Sequence, residues 1–194
     1  MTEGLTPYVE TTLDTRRRDE PIDPSGFARN STGAAVKVGS TFELSRLLVG
    51  QAAVGYGVRH YVDQRLPSLA APTFDASLIW TATPLTSVTL RGTTTLNETT
   101  VANAAGAVNR TVSLDISHAL LRNLTLSAVG TVGTNDYRGV ALHETTVSGT
   151  LKADYNLTRS IVVRGSFTHE RLQSSAVGAD YTANTFLLGL KLQR

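Results

Sequence analysis

Apolar residues along this chain alternate with polar or very small ones over runs of about 10 to 13 residues, the period of a β-strand with one apolar face, and helical spacing is absent. Between Thr32 and Leu44, one face carries Ala34, Val36, Val38, Ser40, Phe42 and Leu44, and the other carries Gly33, Ala35, Lys37, Gly39, Thr41 and Glu43. The same division recurs at Val88, Leu90, Gly92, Thr94 and Leu96 against Thr89, Arg91, Thr93, Thr95 and Asn97. It recurs again at Val112, Leu114 and Ile116 against Thr111, Ser113, Asp115 and Ser117. The pattern predicts ten strands, over residues 4–13, 32–44, 48–61, 73–82, 86–97, 108–119, 123–134, 144–156, 160–170 and 182–193.

The strands are organised by an internal repeat. Phe42-Glu-Leu-Ser-Arg46, Trp80-Thr-Ala-Thr-Pro84, His118-Ala-Leu-Leu-Arg122 and Tyr155-Asn-Leu-Thr-Arg159 follow one another at spacings of 38, 38 and 37 residues. Each copy ends one strand and turns into the next, so the repeat unit is a hairpin of two long strands; a propeller blade of similar period needs four short ones. Short turns near 45–47, 83–85, 120–122 and 157–159 alternate with long polar loops at 14–31, 62–72, 98–107, 135–143 and 171–181. An even number of strands with short turns at one end and long loops at the other predicts an all-β, antiparallel up-and-down transmembrane barrel, with periplasmic turns and extracellular loops. Both termini fall at the turn end, which permits strand ten to pair with strand one.

Composition supports strands and narrows the chemistry. A chain of 194 residues is one domain's worth, read here as a single barrel domain spanning 1–194. Threonine supplies 28 residues, in keeping with a strand-rich fold, and the absence of cysteine removes disulfides, thiolate metal sites and thiol nucleophiles. A net charge of +2 gives no reason to expect nucleic acid as a partner. No run of 18 apolar residues occurs, so no membrane-spanning helix is expected, and the first ten residues do not read as a retained signal peptide.

Alternation alone does not say which face meets lipid. Strands of this length, tilted about 40°, cover roughly 25 to 33 Å, the height of a bilayer's apolar band. Phe42, Trp80, His118 and Tyr155 sit at the turn end of the apolar face and Tyr56, Phe167 and Phe186 nearer the loops, where interfacial girdles belong. The middle of that face is rich in Ala and Gly, which fill a protein core poorly but suit conforming lipid chains. With the apolar face outward, the lumen receives Glu10, Lys37, Arg59, Asp75, Arg91, Asp115, Lys152, Asp154, Arg164 and Lys191. Acids and bases nearly balance there, so the lumen is either a charge-selecting constriction or is zipped by ion pairs; ten strands favour a narrow or plugged passage.

The segments GLTPYVE, TATPLTSVTLRGTTTLNETT, HALLRNLTLSAVG, YNLTRSIVVRGSFTHERL and ADYTANTFLLGLKLQR resemble the outer-membrane family called putative β-barrel porin 2, of Gram-negative bacteria. The resemblance runs over nearly the whole chain and implies an outer-membrane location and porin-like transport of small solutes, without catalytic residues. It also implies contact with outer-membrane lipid and lipopolysaccharide and with the outer-membrane assembly machinery. The chain looks like the C-terminal portion of a family member. Its final segment keeps the glycine and spacing of an assembly signal but ends in Arg194 instead of an aromatic.

His60, His143-Glu144, His169-Glu170, Asp63 and Asp180 fall near the loop rim, but no nucleophile, base and orienter share a recognisable spacing, and neither GxSxG nor HExxH is present. No enzyme, metal or cofactor is expected. Arg16-Arg17-Arg18 reads as a solvated loop charge or a contact for lipopolysaccharide phosphate. Two other readings stay open: a structural or surface-binding barrel acting through its external loops, and a soluble barrel with the faces reversed that binds an apolar ligand inside.

Overall fold

A computed structural model describes residues 4–20 and 22–192. Its ten strands are β1 (Leu5–Arg16), β2 (Ser31–Ser45), β3 (Leu48–Tyr61), β4 (Leu69–Thr83), β5 (Thr86–Asn97), β6 (Gly106–Leu121), β7 (Leu124–Arg138), β8 (His143–Asn156), β9 (Ile161–Ser174) and β10 (Tyr181–Leu192). They form one antiparallel sheet in chain order, each strand paired with its sequence neighbours. Among the described residues there is no helix long and apolar enough to cross a membrane.

β3 and β5 begin and end where alternation predicts, but most other strands run further into the segments expected to be loops. β1 continues to Arg16, β4 starts at Leu69, and β9 reaches Ser174. Ladder bonds join backbone groups, so a strand continues for as long as its neighbour lies alongside, even after side-chain alternation has faded. Pro72 is therefore a strand residue, opposite Tyr56 of β3.

The sheet is not closed. β1 pairs with β2 and β10 with β9, and among the described residues the ladder between strand ten and strand one that the strand count permits is not formed. The end residues 193 and 194, within which the expected assembly signal finishes, lie outside the described residues.

The sheet is nevertheless curved and staggered. The row Leu5, Phe42, Gly50, Leu78, Leu90, Leu114, Gly130, Gly149, His169, Asn184 crosses all ten strands through directly opposed partners. It starts at the turn end of β1 and finishes near the loop end of β10, the climb that tilted barrel strands require. Curvature shows in side-chain pairs that reach across an intervening strand. Lys37 of β2 pairs with Asp75 of β4, and Arg59 of β3 with Asp14 of β1. Such reach is favoured where side chains converge on a concave face.

One seam departs from regularity. The β4–β5 ladder runs from Thr83–Thr86 to Asp75–Thr93 and stops, although β3–β4 continues to Leu69 and β5–β6 to Asn97. Beyond this point the loop end of β5–β6 laps over the concave face of β3–β4. Leu96 packs on Gly57, with its Cδ1 2.8 Å from where a glycine-to-alanine Cβ would sit, so the two residues are in direct contact. Leu69, Ala71 and Val108 make a buried cluster with Tyr61 and Leu96 against it.

Candidate functional site: the concave polar face and its loop cap

Every expected lumen residue lies on a strand, and the register places all ten on one face, the concave one. Glu10 stands opposite Lys37, which pairs with Asp75; Thr93 also donates to Asp75, at 2.8 Å. Arg164 Nε and Nη2 donate to the two Asp154 oxygens at 2.6 and 2.9 Å. Arg91 lies opposite Ser77 and Ser113, Asp115 opposite Thr89 and Val129, Lys152 opposite Ser127 and Ser166, and Lys191 opposite Val162. None of these last four forms an ion pair with another described residue. With the Arg59–Asp14 pair nearer the loops, the charges are thus joined at three places along the face and left apart elsewhere.

The opposite, convex face carries the apolar set. Many of its large side chains are open to the surroundings, Leu114 at 42% and Leu188 at 81% exposed among them. Phe42, Tyr56, Trp80, His118, Tyr155, Phe167 and Phe186 all share this face, with the Phe167 and Phe186 rings 4.6 Å apart. Towards the loops the apolar band ends in polar cross-strand contacts: Arg110 and His143 both pair with Asp136, and His169 Nδ1 lies 2.8 Å from Asn184 Oδ1. Towards the turns, Thr86 holds His118 Nδ1 at 2.9 Å, and near the loops Ser68 holds His60 Nδ1 at 2.8 Å. All four histidines therefore engage hydroxyl, amide or carboxylate partners on the outer surface. A concavity of about 810 Å³ on this face is an open trough, floored by Ala128, Ala153 and Gly165.

The loop end of β1–β4 is covered by a cap that sequence reasoning did not foresee. It is built from three loops, residues 17–30, 62–68 and 98–105. Phe27, Leu66 and Ala105 are its buried apolar centre, packed with Tyr61. Asp23-Pro24-Ser25-Gly26 supplies a tight turn, with Gly26 at φ +82° and Asp23 accepting from the amides of Ser25 and Phe27 at 2.9 Å. This turn presents Arg29, whose side chain is only 1% exposed. Arg29 pairs with Asp23 and donates to the carbonyls of Ala104 and Val101 at 2.7 and 3.2 Å. Arg65 crosses the Phe27 ring, 4.7 Å from its centroid, and pairs with Asp63.

A second polar centre joins cap to strands. Glu98 accepts from Arg18 and Ser31, both at 3.1 Å, with Arg16 at 3.5 Å. Two of the three consecutive arginines thus turn inward instead of being wholly solvated. Ser31 also receives a hydrogen bond from Arg59 at 2.9 Å, and Arg59 Nη2 donates to both Asp14 oxygens at 2.8 and 2.6 Å. Gly33 lies between that last pair: a Cβ there would come 2.4 Å from Asp14 and 2.7 Å from Arg59. Arg29 holds the Asp23 carboxyl below the usual carboxylate range, and Arg65 does the same for Asp63. For Glu98, burial raises the pKa, but hydrogen bonds from Arg18 and Ser31 and the charges of Arg16 and Arg18 outweigh it, leaving the carboxyl lowered.

A curved sheet with paired charges inside and an apolar band outside is the physical pattern of a barrel wall, and comparison with known families gives the same answer. Residues 1–194 match the family described as putative β-barrel porin 2. The chain belongs to that family. Among curated proteins none matches the chain significantly. The family accounts for the all-β, up-and-down architecture of this β-barrel porin relative; the cap, the lapped seam and the charge pairing are features of this chain's own residues.

The sequence missed Asp14, Arg29 and Glu98 as partners because all three fell in or beside expected loops. Only Asp23-Pro24-Ser25-Gly26 offered a local signal, a turn sequence placing an acid six residues before an arginine.

Proposed function

We propose that this chain is a Gram-negative outer-membrane porin-type barrel that passes small solutes through a narrow lumen, with its loop-end cap limiting entry. The observation that carries the reading is the division of the sheet into an outer apolar band, bounded by Arg110–Asp136–His143 towards the loops, and an inner face of Lys37–Asp75, Arg59–Asp14 and Arg164–Asp154 pairs. Lipid takes the outer face, with lipopolysaccharide at the loop end, and the aromatic set stands at the interfaces. Insertion through the assembly machinery, and the closing of β1 and β10 against partner strands, follow from the same reading because lipid leaves no unpaired sheet edge satisfied.

Ion pairs on the concave face weigh against a soluble barrel enclosing an apolar ligand. The inward packing of Phe27, Arg29 and Leu66 weighs against a cap devoted to gripping an external partner. The family and the division of the sheet into an apolar and a charge-paired face support transport as the reading. The test is conductance of the purified protein in planar bilayers. Small, stable steps that respond to charge changes on the inner face support it, and ion-impermeant bilayers containing verified inserted protein would overturn it.

A further inference from the structure

The β4–β5 seam carries two mutually exclusive sets of apolar partners. By strand period, Thr94, Leu96 and Val108 belong to the outer face, in line with Gly92, Leu114 and Ile116. In the structure Leu96 and Val108 lie instead on Leu69 and Ala71, at the concave face. Leu69 and Ala71 share that face with Asp75, a position where a water-filled lumen has no use for them. The lap covers them and is their physical explanation.

The continuation of the interrupted ladder is equally well specified. Extending the register of Asp75–Thr93 places Phe74 opposite Thr94, Thr73 opposite Thr95 and Pro72 opposite Leu96. Leu96 would then stand beside Pro72 on the outer face, as its period demands. Thr73 would meet Thr95 on the inner face, where paired hydroxyls satisfy each other. In the lapped arrangement Thr73 Oγ1 is buried without a hydrogen-bond partner, as are Tyr61 Oη and Arg59 Nε. Backbone groups of residues 69–74 and 94–97 along this seam likewise lack the ladder that continues on both flanking pairs.

We propose that the loop-side half of the β4–β5 seam is a gate with two positions. In the lapped position seen here, the β5–β6 tip lies on the inner face of β3–β4 and narrows the mouth. In the zipped position, the β4–β5 ladder continues in register to the loops and the tip leaves the lumen. The lapped position is latched by Arg29, which holds the carbonyls of Val101 and Ala104, and by Glu98, which ties the end of β5 to Arg16, Arg18 and Ser31. Both latches join the loop that follows β5 to elements on the β1–β2 side, so releasing them frees the tip as a unit. As a regulation of the passage this rests on the porin reading; the existence of two positions does not.

The protein has no cysteine, so engineered pairs report directly. Gly57→Cys with Leu96→Cys reports the lapped position, and Pro72→Cys with Leu96→Cys the zipped one. Both are made in protein refolded in phospholipid vesicles and oxidised briefly, and cross-linking is read as a gel shift reversed by reductant. Expected are cross-links in both pairs, with the Pro72/Leu96 rate rising about tenfold when Arg29→Ala is added, the effect of losing ~1.4 kcal/mol of latch. Glu98→Gln should act in the same direction and replaces Arg29→Ala if that variant does not refold. Channels locked by Pro72/Leu96 should conduct more than those locked by Gly57/Leu96. Full Gly57/Leu96 cross-linking with none in Pro72/Leu96, even after latch removal, would overturn the gate. Two cross-linkable positions without conductance in either would leave the gate standing and overturn the porin reading instead.

Discussion

Leu114 offers a severe test of which face meets lipid. It stands on the convex face of β6, opposed by Leu90 and Gly130, and is four residues from Arg110 on one side and four from His118 on the other. At about 3.4 Å per residue, each boundary is ~13 Å away along the strand, and ~10 Å in depth for a strand tilted about 40°. An arginine here cannot bring its guanidinium to either interface in an extended conformation without deforming the bilayer. Leu114→Arg should therefore cost about 2 to 4 kcal/mol, the range for a cation at the midplane, shifting the unfolding equilibrium by roughly two orders of magnitude. The adjacent Ser113 points into the concave face opposite Arg91 and Thr131. Ser113→Arg adds a cation near Arg91 in a hydrated space, at a cost of about 0 to 1 kcal/mol. Reversible denaturant unfolding in phospholipid vesicles measures both, with the single tryptophan, Trp80, as a fluorescence reporter. Equal losses at 113 and 114, or a larger loss at 113, would refute the face assignment.

Asp75→Asn should leave Lys37 without its carboxylate partner and shift the passage towards anions, read as a change in reversal potential across a salt gradient; unchanged selectivity would mean that Lys37 does not face the passage. The cap should weaken in acid. Asp23, Asp63 and Glu98 have pKa values lowered in the folded protein, so their stabilisation is complete above the unfolded carboxylate pKa of about 4 and is lost as pH falls through the lowered folded values. Hydrogen exchange at the Ala105 amide, bonded to the Arg138 carbonyl, should thus be equally protected at pH 7 and 5 and lose protection below about 4. In bilayers, amides of Leu187 to Leu190 should exchange as slowly as those in the middle of β6, because lipid forces the open edge of β10 to find a partner strand; fast exchange there would show that the edge stays unpaired.

The sequence by itself determined the strands, their order and the chemistry of their two faces. Residues two apart share a face whatever the chain does elsewhere, so Val36, Leu90, Leu114, Leu151 and Leu188 could be separated from Lys37, Arg91, Asp115, Lys152 and Lys191 by counting. The hairpin repeat at Phe42, Trp80, His118 and Tyr155 similarly marked the four short turns. The family resemblance drawn from the sequence is matched over residues 1–194. What counting could not supply depends on curvature. Asp14 meets Arg59 across Gly33, and Lys37 meets Asp75 across β3, because a bent sheet brings side chains two strands apart together. Arg29 reaches carbonyls more than seventy residues away because the loops fold over the mouth instead of extending into solvent. Closure was permitted by the even strand count and same-end termini, yet β1 and β10 remain apart: strand period fixes faces, while the joining of distant edges depends on the accumulated twist, stagger and bend of every strand between them. The lap of Leu96 and Val108 onto Leu69 and Ala71 has the same origin, since their local pattern assigns them to opposite faces and only the bend at the β4–β5 seam brings those faces into contact.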